Sequence, residues 1–284
     1  MHKIALITGT STGLGYSLTI KLAALGYQVF ATMRNLSKAE KLRSEISDKG
    51  LPVEILPLDV QDEQSVKTCI ASVIAKTGKI DVLINNAGAG FVKTTEHATP
   101  EEIDWVMDVN FHGVVRCTKA VLPHMREARR GHIINITSVG GLVGQPFNEF
   151  YCAAKFAVEG YTESLASYVQ PTFGIHFSVV EPGGISSEFA NSVLTQLEQT
   201  GGMPQGDYLP VLQQYISNAQ SRAANNGAYQ SADEVADKVI EVLTNDNPPI
   251  RVRTSEWAEN FAKLKTQADP DGKKIQQQIV ETIL

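Results

Sequence analysis

Three residues near the middle of the chain could move a proton on a substrate oxygen. Tyr151 and Lys155 are four residues apart in a segment with a helical pattern, so their side chains lie one turn apart on one face. Ser138 precedes Tyr151 by thirteen residues, where a buried strand ends. A free tyrosine titrates near 10, so its use at neutral pH requires a pKa lowered by about three units, or about 4 kcal/mol. A nearby ammonium acts in that direction, and the three residues therefore indicate reduction of a ketone or oxidation of an alcohol.

The tyrosine–lysine spacing by itself is common in helices that have only a structural role. A glycine-rich loop between the first predicted strand and the first predicted helix favours the catalytic interpretation, and its candidate binding residues are Gly9, Ser11, Thr12, Gly13, Leu14 and Gly15. Glycines at this junction let the backbone approach a pyrophosphate, which the helix N-terminus stabilises through free N–H groups and its dipole. An ordinary tight turn is the alternative, but the position at the first strand–helix junction favours dinucleotide binding.

The charges after the second predicted strand bear on which dinucleotide binds. NAD sites usually place a carboxylate there to hold the ribose 2′-hydroxyl. The first acidic residue of the chain is Glu40, beyond that strand, and the strand instead ends at Arg34 with Lys38 close behind. The planar fork of an arginine suits a 2′-phosphate. We therefore expect NADP(H), the alternative being that Arg34 simply starts a solvated helix.

Two further strand ends carry candidate cofactor contacts. Asp59 and Val60 follow the third strand, where the carboxylate could receive an adenine amino group or, equally, cap the next helix. After the fourth strand, small side chains would leave room for a cofactor ribose, at Asn86, Ala87 and Gly88.

Short β-branched runs alternate with amphipathic stretches along the chain. The runs that predict buried strands span residues 4–8, 28–33, 53–58, 81–84, 132–137 and 176–180, with a last strand at 249–253. Helices are predicted at 14–25, 37–49, 62–77, 100–128, 149–169 and 231–243. This alternation predicts an α/β protein, a single-domain Rossmann fold with a doubly wound parallel sheet of about seven strands and helices on both faces.

Composition excludes several classes of protein. The chain has 284 residues, 43% hydrophobic and 20% charged, which is typical of a globular protein rather than a disordered one. A net charge of −6 gives no reason to expect nucleic acid or an anionic membrane as partner, and no apolar run is long enough for a membrane anchor. Without a signal-peptide pattern, and with an odd number of cysteines, the chain is expected to be cytoplasmic. Its scattered histidines and cysteines predict no metal site.

One segment departs from this composition. Only three of the forty residues 191–230 are charged, and the stretch is rich in Gln, Asn and Ser. We interpret it as part of a substrate lid over about 185–230, the alternative being a variable surface insertion. The lid belongs to a catalytic domain over residues 1–254, and residues 255–284 form a C-terminal helical extension.

These motifs together resemble the short-chain dehydrogenase/reductase family over about residues 3–253. Residues 8–15 are similar to the family's Thr-Gly-x-x-x-Gly-x-Gly and residues 85–88 to its Asn-Asn-Ala-Gly, and the catalytic tetrad is matched by Asn110, Ser138, Tyr151 and Lys155. Pro182 and Gly183 match the loop that closes over the nicotinamide. The family often has a threonine three or four residues after that proline–glycine pair, contacting the carboxamide. This chain has Ile185-Ser186-Ser187 there, so a serine takes the role or the contact is lost.

The resemblance implies a mechanism. Tyr151 exchanges the proton with the substrate oxygen, Ser138 orients that oxygen, and Lys155 lowers the tyrosine pKa and holds the nicotinamide ribose, while Asn110 supports a water-linked proton relay. Tyr151 and Lys155 are thereby also cofactor contacts, as is Ile185.

Residues 31–34, 138–148 and 151–160 are similar to the NADP(H)-linked hydroxysteroid and retinol dehydrogenase branch of the family, which implies a hydrophobic carbonyl or alcohol substrate, steroid- or retinoid-like among the possibilities. The family also implies a homodimer or homotetramer through the helices at 100–128 and 149–169. A non-catalytic NADP(H)-binding sensor or scaffold is the rival hypothesis, and a methyltransferase would leave Ser138, Tyr151 and Lys155 unexplained.

Overall fold

A seven-stranded parallel sheet forms the centre of the molecule. The computed structural model describes residues 2–186, 206–225 and 228–283, together with residues 195, 198 and 202. The strands are β1 (Ile4–Thr8), β2 (Gln28–Met33), β3 (Val53–Pro57), β4 (Val82–Asn85), β5 (Gly131–Ile136), β6 (Ile175–Glu181), β7 (Gly184–Ser186), β8 (Tyr229–Ser231) and β9 (Arg251–Arg253). The sheet order is β3-β2-β1-β4-β5-β6-β9 and all of its pairings are parallel. The predicted Rossmann fold is confirmed.

The helices that cover the sheet follow the strands in alternation. They are α1 (Gly13–Ala24), α2 (Glu40–Lys49), α3 (Glu63–Thr77), α4 (Pro100–Met107), α5 (Gly113–Ala128), α6 (Glu149–Phe173), α7 (Tyr208–Asn225), α8 (Ala232–Thr244), α9 (Glu256–Thr266) and α10 (Lys273–Ile283), with 3-10 turns at Leu36–Ala39 and Val139–Gly141. The chain passes from β1 outward to β3 and then returns to β4 on the other side of β1. Ligands of open α/β sheets bind at this switch point, beyond the carboxyl ends of the strands.

Successive side chains of a strand point to opposite faces of the sheet. In this protein both sets of side chains are apolar, so both faces of the sheet are apolar. Strand register aligns one row of large side chains across five strands, Leu6, Phe30, Leu83, Ile133 and Phe177, which pack against helices α3, α5 and α6. The next row includes Ile7, Ile84 and Ile134, and it packs against α1 and α8. This two-sided burial explains why the strands read as continuous apolar runs in the sequence.

The predicted helix at 100–128 is wrong in one detail. The helix is interrupted by a π-helical turn at Asp108–His112, between α4 and α5. Its start matches the sequence: Thr99 and Glu102 form a reciprocal capping box, and Pro100 occupies the first turn. One residue more per turn rotates the side chains that follow, and π-helical turns of this kind are frequent at functional sites.

Two short strands were missed by the sequence analysis. Strands β7 and β8 pair in parallel over three residues each and lie outside the main sheet. Their residues come from segments more than forty positions apart, and runs of three residues carry no readable periodicity. Of the predicted lid over 185–230, only residues 185, 186, 195, 198, 202, 206–225 and 228–230 are described, so the rest of that prediction lies outside the described residues.

Burial of His132 makes the fold sensitive to acid. The ring lies inside the sheet, with Nε2 2.9 Å from Ser178 Oγ, and burial lowers the pKa of His132 to about 3, with a smaller effect from His176. The unfolded chain takes up this proton near pH 6.5 and the folded chain only near 3, so stability is lost as pH falls through that window. We expect about 2 kcal/mol of loss between pH 6.5 and 5 from this residue. Urea unfolding should show that loss in the wild type and in His97→Gln, whose ring is exposed, and not in His132→Gln. Equal pH slopes in all three proteins would contradict the assignment.

Candidate active site

The glycine-rich loop after β1 leaves no room for a side chain at Gly9 or Gly15. Gly9 has φ +72° and Gly13 has φ +58°, values that favour glycine. A Cβ on Gly15 would lie 2.3 Å from the carbonyl oxygen of Gly9 and 2.6 Å from Nδ2 of Asn86. The loop therefore holds the start of α1 directly against the ends of β1 and β4.

The loops after β1 and β4 are joined by hydrogen bonds. The hydroxyl of Thr8 accepts from the backbone N–H groups of Asn86 and Ala87, both at 3.0 Å. Nδ2 of Asn86 donates to the carbonyl oxygens of Thr8 (2.8 Å) and Gly9 (2.9 Å). Asn86 and Ala87 thus have a structural role at the loop, besides the ribose contact predicted for them.

The N-terminus of α1 is open for an anion. Thr12 is its N-cap, yet this side chain makes no capping hydrogen bond within the described part of the chain. The first turn, which includes Leu14, has no acidic residue. Its N–H groups and the positive end of its dipole are therefore directed at the space beyond Ser11 and Gly13.

The structure places the other predicted cofactor residues at the same edge of the sheet. Arg34 is exposed directly after β2. Asp59 accepts from the N–H of Gln61 (3.0 Å), and the cap of α3 is Asp62 instead, so the capping alternative for Asp59 is wrong. Val60 is buried, and its carbonyl oxygen accepts from Arg116 (3.1 Å).

Asn110 lies in the π-helical turn and is fully buried. Its Oδ1 accepts from the N–H of Ala89 (3.1 Å), and its Nδ2 donates to the carbonyl oxygens of Ala89 (2.9 Å) and Val106 (3.0 Å). A Cβ on Gly88 would lie 3.0 Å from Asn110 Oδ1 and 3.6 Å from Lys155 Nζ. The π turn therefore brings the asparagine to the same small residue that Lys155 approaches from α6.

Ser138, Tyr151 and Lys155 meet at the end of β5. Ser138 and Tyr151 are joined by a side-chain hydrogen bond, and Ser138 also accepts from the N–H of Gly140 (3.0 Å). The Lys155 ammonium donates to the carbonyl oxygen of Ile136 (3.0 Å) and lies 5.7 Å from the centre of the Tyr151 ring. The hydroxyl groups of Ser138 and Tyr151 and the buried ammonium of Lys155 therefore lie close together.

The protonation of these groups follows from burial. Burial raises the pKa of Tyr151 to about 12, and the hydrogen bond with Ser138 only partly opposes this. Burial also lowers the pKa of Lys155 to about 8, although the nearby Glu159 acts to raise it. Burial of the phenol therefore raises the tyrosine pKa in this structure, and the lowering by Lys155 in the reacting complex stays a prediction. At pH 7 the ammonium form of Lys155 still predominates.

Pro182 and Gly183 form the turn after β6, next to residues that the sequence analysis missed. The carbonyl oxygen of Pro182 accepts from the N–H of Val139 (2.9 Å). A Cβ on Gly183 would lie 2.9 Å from the carbonyl oxygen of Ala228 and 3.1 Å from the ring of Trp257. Ile185 and Ser186 follow in β7, with Ser186 exposed, and Ser187 lies outside the described residues. No periodic signal could have placed Trp257, which lies more than seventy residues downstream.

Two aromatic pairs include residues that come just before Tyr151 in the chain. Phe91 and Phe150 pack edge to face at 6.1 Å between ring centres, and Phe147 packs against Tyr215 of α7 at 5.6 Å. The Tyr215 hydroxyl accepts from Nδ2 of Asn148 (2.8 Å), so this helix is docked at the N-terminus of α6. Phe147 has φ +62°, which is rare and costly for a bulky residue and is typical of functional sites.

Metal binding and membrane spanning both lack support among the described residues. No group of three or more His, Cys, Asp and Glu side chains there could hold a metal ion. In the same part of the chain, no helix is both long and apolar enough to cross a membrane.

A family profile described as short chain dehydrogenase matches residues 3–198. The chain is 38% identical to retinol dehydrogenase 8 of Bos taurus over 277 residues, covering 95% of this chain and 86% of that protein. It is 37% identical to 3-ketodihydrosphingosine reductase of Bacteroides thetaiotaomicron over 265 residues, covering 93% and 92%. Over 275 residues it is 35% identical to human 17-beta-hydroxysteroid dehydrogenase type 1, covering 95% and 82%.

Solved structures share the fold over nearly the whole chain. A short-chain dehydrogenase/reductase from Burkholderia phymatum in complex with NAD superposes with a TM-score of 0.80 at 23% identity, covering 98% of this chain and 95% of that one. Actinorhodin polyketide ketoreductase with NADPH superposes with a TM-score of 0.77 at 26% identity, covering 91% and 98%. Structural neighbours of this chain thus bind nicotinamide cofactors of both kinds.

Proposed function

The chain belongs to the short-chain dehydrogenase family, and from that premise we propose that it uses NADP(H) to interconvert a ketone or aldehyde with the corresponding alcohol. As a member of that family it is an oxidoreductase that acts on a small molecule. The observation that carries the proposal is the meeting of Ser138, Tyr151 and Lys155 at the carboxyl end of β5, beside the open N-terminus of α1.

The backbone around the loop fits a dinucleotide. Gly9 and Gly15 leave no room for a Cβ, and Gly9 and Gly13 have positive φ, so the backbone itself can come close to a bound phosphate. Free N–H groups and a positive dipole end favour a pyrophosphate at Ser11, Thr12, Gly13 and Leu14. When bound, the nicotinamide supplies or accepts the hydride at the carbonyl carbon.

Arg34 supports NADP(H) over NAD. It follows β2 directly, is exposed, and has no carboxylate on the same strand end to compete for its guanidinium. Asp59 and Val60 at the end of β3 would border the adenine, and Asn86, Ala87 and Gly88 at the end of β4 the ribose. Pro182, Gly183 and Ile185 would border the nicotinamide.

We assign the proton chemistry to the tetrad. Tyr151 donates its phenolic proton to the substrate oxygen in reduction and removes the proton in oxidation. Ser138, already hydrogen-bonded to Tyr151, donates to the same oxygen and orients it. The Lys155 ammonium stabilises the phenolate that forms, since an adjacent positive charge opposes the pKa-raising effect of burial. We propose that Asn110, held by Ala89 next to Gly88, supports a water-linked proton relay to Lys155.

We propose a hydrophobic substrate, steroid- or retinoid-like among the candidates. Two relatives are named for retinol and a 17-beta-hydroxysteroid, and a third for a 3-ketodihydrosphingosine. The aromatic pairs Phe91–Phe150 and Phe147–Tyr215 beside Tyr151 support an apolar ligand. We keep the lid over about 185–230 as part of this proposal, and with it a catalytic domain over 1–254 and a helical extension over 255–284.

We also propose that the chain forms a homodimer or homotetramer through α4, α5 and α6. Phe156 and Tyr168 support this assembly, because both are large apolar side chains of α6 and remain 42% and 47% exposed.

Initial rates at 340 nm with NADPH and NADH in parallel test the proposed function. We expect turnover with NADPH on large hydrophobic ketones or retinal, and slower turnover on small ketones. Turnover that is as fast with NADH would refute the cofactor assignment. Tight NADPH binding without turnover across small ketones, aromatic ketones, steroids and retinal would favour a cofactor-binding sensor or scaffold instead.

A further inference from the structure

Two carboxyl groups are buried together behind the tetrad. Glu159 lies one turn after Lys155 on α6 and is 6% exposed, and Glu181 ends β6 and is fully buried. The two carboxyl groups lie in hydrogen-bonding contact with each other. The nearby Thr137 hydroxyl donates to the carbonyl oxygen of Val180 (3.2 Å). Apart from each other and the Thr137 hydroxyl, which opposes the pKa-raising effect of burial at Glu159, neither oxygen of Glu159 nor Oε1 of Glu181 has a hydrogen-bond partner among the described residues. Two carboxyl groups can hydrogen-bond only if one of them carries a proton.

Each arginine beside the pair also binds a carboxylate outside it. Arg253 donates from Nη1 to Glu181 (3.2 Å) and from Nε to Glu259 (2.7 Å). Arg251 pairs with Glu163 and keeps its Nε 3.7 Å from Glu181 Oε1, beyond a hydrogen bond. The pair is therefore only partly neutralised by arginine.

The charge of the whole cluster becomes balanced with one proton. It holds four carboxyl groups and three cations, contributed by α6, β6, β9 and α9: Glu159, Glu163, Glu181, Glu259, Lys155, Arg251 and Arg253. Burial raises the pKa of Glu159 well above its usual range, and the charge of Glu181 adds to this. Burial also raises the pKa of Glu181 to about 7, against the opposing charges of Arg253 and Arg251. A single shared proton leaves no net charge in this buried cluster.

The pair contacts both turns that border the reaction centre. Glu181 directly precedes Pro182, whose carbonyl oxygen accepts from Val139, the residue after Ser138. On the other side, Glu159 presses against the same 3-10 turn: a Cβ on Gly141 would lie 3.1 Å from its Cγ and its Oε1. Separation of the two carboxyl groups would therefore move the Ser138 turn relative to Pro182.

We propose that Glu159 and Glu181 are a proton-sharing pair of positioning residues, which holds the Ser138 turn and the Pro182–Gly183 turn together against α6. Loss of the shared proton places two negative charges side by side in the interior and drives the two turns apart. The positioning role rests on the proposed oxidoreductase function, whereas the shared proton is independent of it.

The shared proton is tested by thermal unfolding of the full chain between pH 5 and 8. The folded wild type keeps a proton that the unfolded chain releases above about pH 4.5, so its stability falls as pH rises toward the raised folded pKa. Glu159→Gln removes this proton and keeps the shape. We expect its Tm to gain about 5–10 °C on the wild type across this range. Glu127→Gln, at an exposed carboxyl group of α5 outside the cluster, should run parallel to the wild type. If the Tm of Glu159→Gln changes with pH in parallel to that of the wild type, the proposal of a shared proton is wrong.

The positioning role is tested by turnover at pH 7. We expect Glu159→Ala to lower kcat about tenfold or more, since displaced reacting groups cost rate steeply, and Glu159→Gln to recover most of that loss. Full kcat in Glu159→Ala overturns the positioning role, as does an equal loss in both variants. A wild type without reductase activity overturns the proposed function instead, and the unfolding curves still decide whether the proton is shared.

Discussion

Tyr151→Phe should lower kcat about a thousandfold while leaving NADPH binding nearly unchanged. Removal of a positioned proton donor costs about 10²–10⁴ in rate, and phenylalanine fills the same space without the hydroxyl. The glycine loop and Lys155 are untouched, so the cofactor contacts proposed for them remain. Rates at 340 nm measure the loss, and quenching of protein fluorescence measures the NADPH Kd.

Tyr161→Phe provides the matched control for this experiment. Tyr161 lies ten residues further along α6, and burial raises its pKa to about 12, as it does for Tyr151. Its ring packs edge to face against Phe111 at 6.1 Å, away from Ser138. We expect its kcat within threefold of the wild type. If Tyr151→Phe kept a tenth or more of the wild-type kcat, the proton-donor role would be abandoned.

Arg34→Asp should weaken NADPH about a hundredfold and NADH less than threefold. Hydrogen bonds to charged groups contribute about 1.5–3 kcal/mol each, and the guanidinium fork can donate two to a 2′-phosphate. The new carboxylate would also repel that phosphate while accepting from a 2′-hydroxyl. Titration of each cofactor, followed by fluorescence, gives the two Kd values.

Arg43→Asp separates a local contact from a general effect of charge. Arg43 is exposed on α2, and its substitution changes the net charge by the same amount as Arg34→Asp. We expect both cofactors to bind this variant as they bind the wild type, because screening weakens exposed charges beyond about 10 Å. Equal weakening of NADPH and NADH by Arg34→Asp would refute the 2′-phosphate assignment.

The periodic parts of the fold could be predicted from the sequence. Runs such as Ile4–Thr8 and Gln28–Met33 are apolar on both faces, and a strand buried on both sides requires this composition locally. The spacing of Tyr151 and Lys155 on one helix face and the glycines of the loop are local as well. Each of these signals depends on neighbours within a few residues, so the sequence was enough to predict the Rossmann fold and three of the candidate catalytic residues, whereas Asn110 followed from the family resemblance.

Features that depend on contacts between distant segments could be seen only in the folded structure. The π-helical turn places Asn110 against Ala89, and strands β7 and β8 pair across more than forty residues. Glu159 and Glu181 read as ordinary charged residues in the sequence, yet α6 and β6 bury them together. Desolvation in that interior also raises the pKa of Tyr151, an effect that the spacing of residues in the sequence does not show. Burial and charge pairing are properties of the packed molecule, because they sum over neighbours that the chain brings together only when it folds.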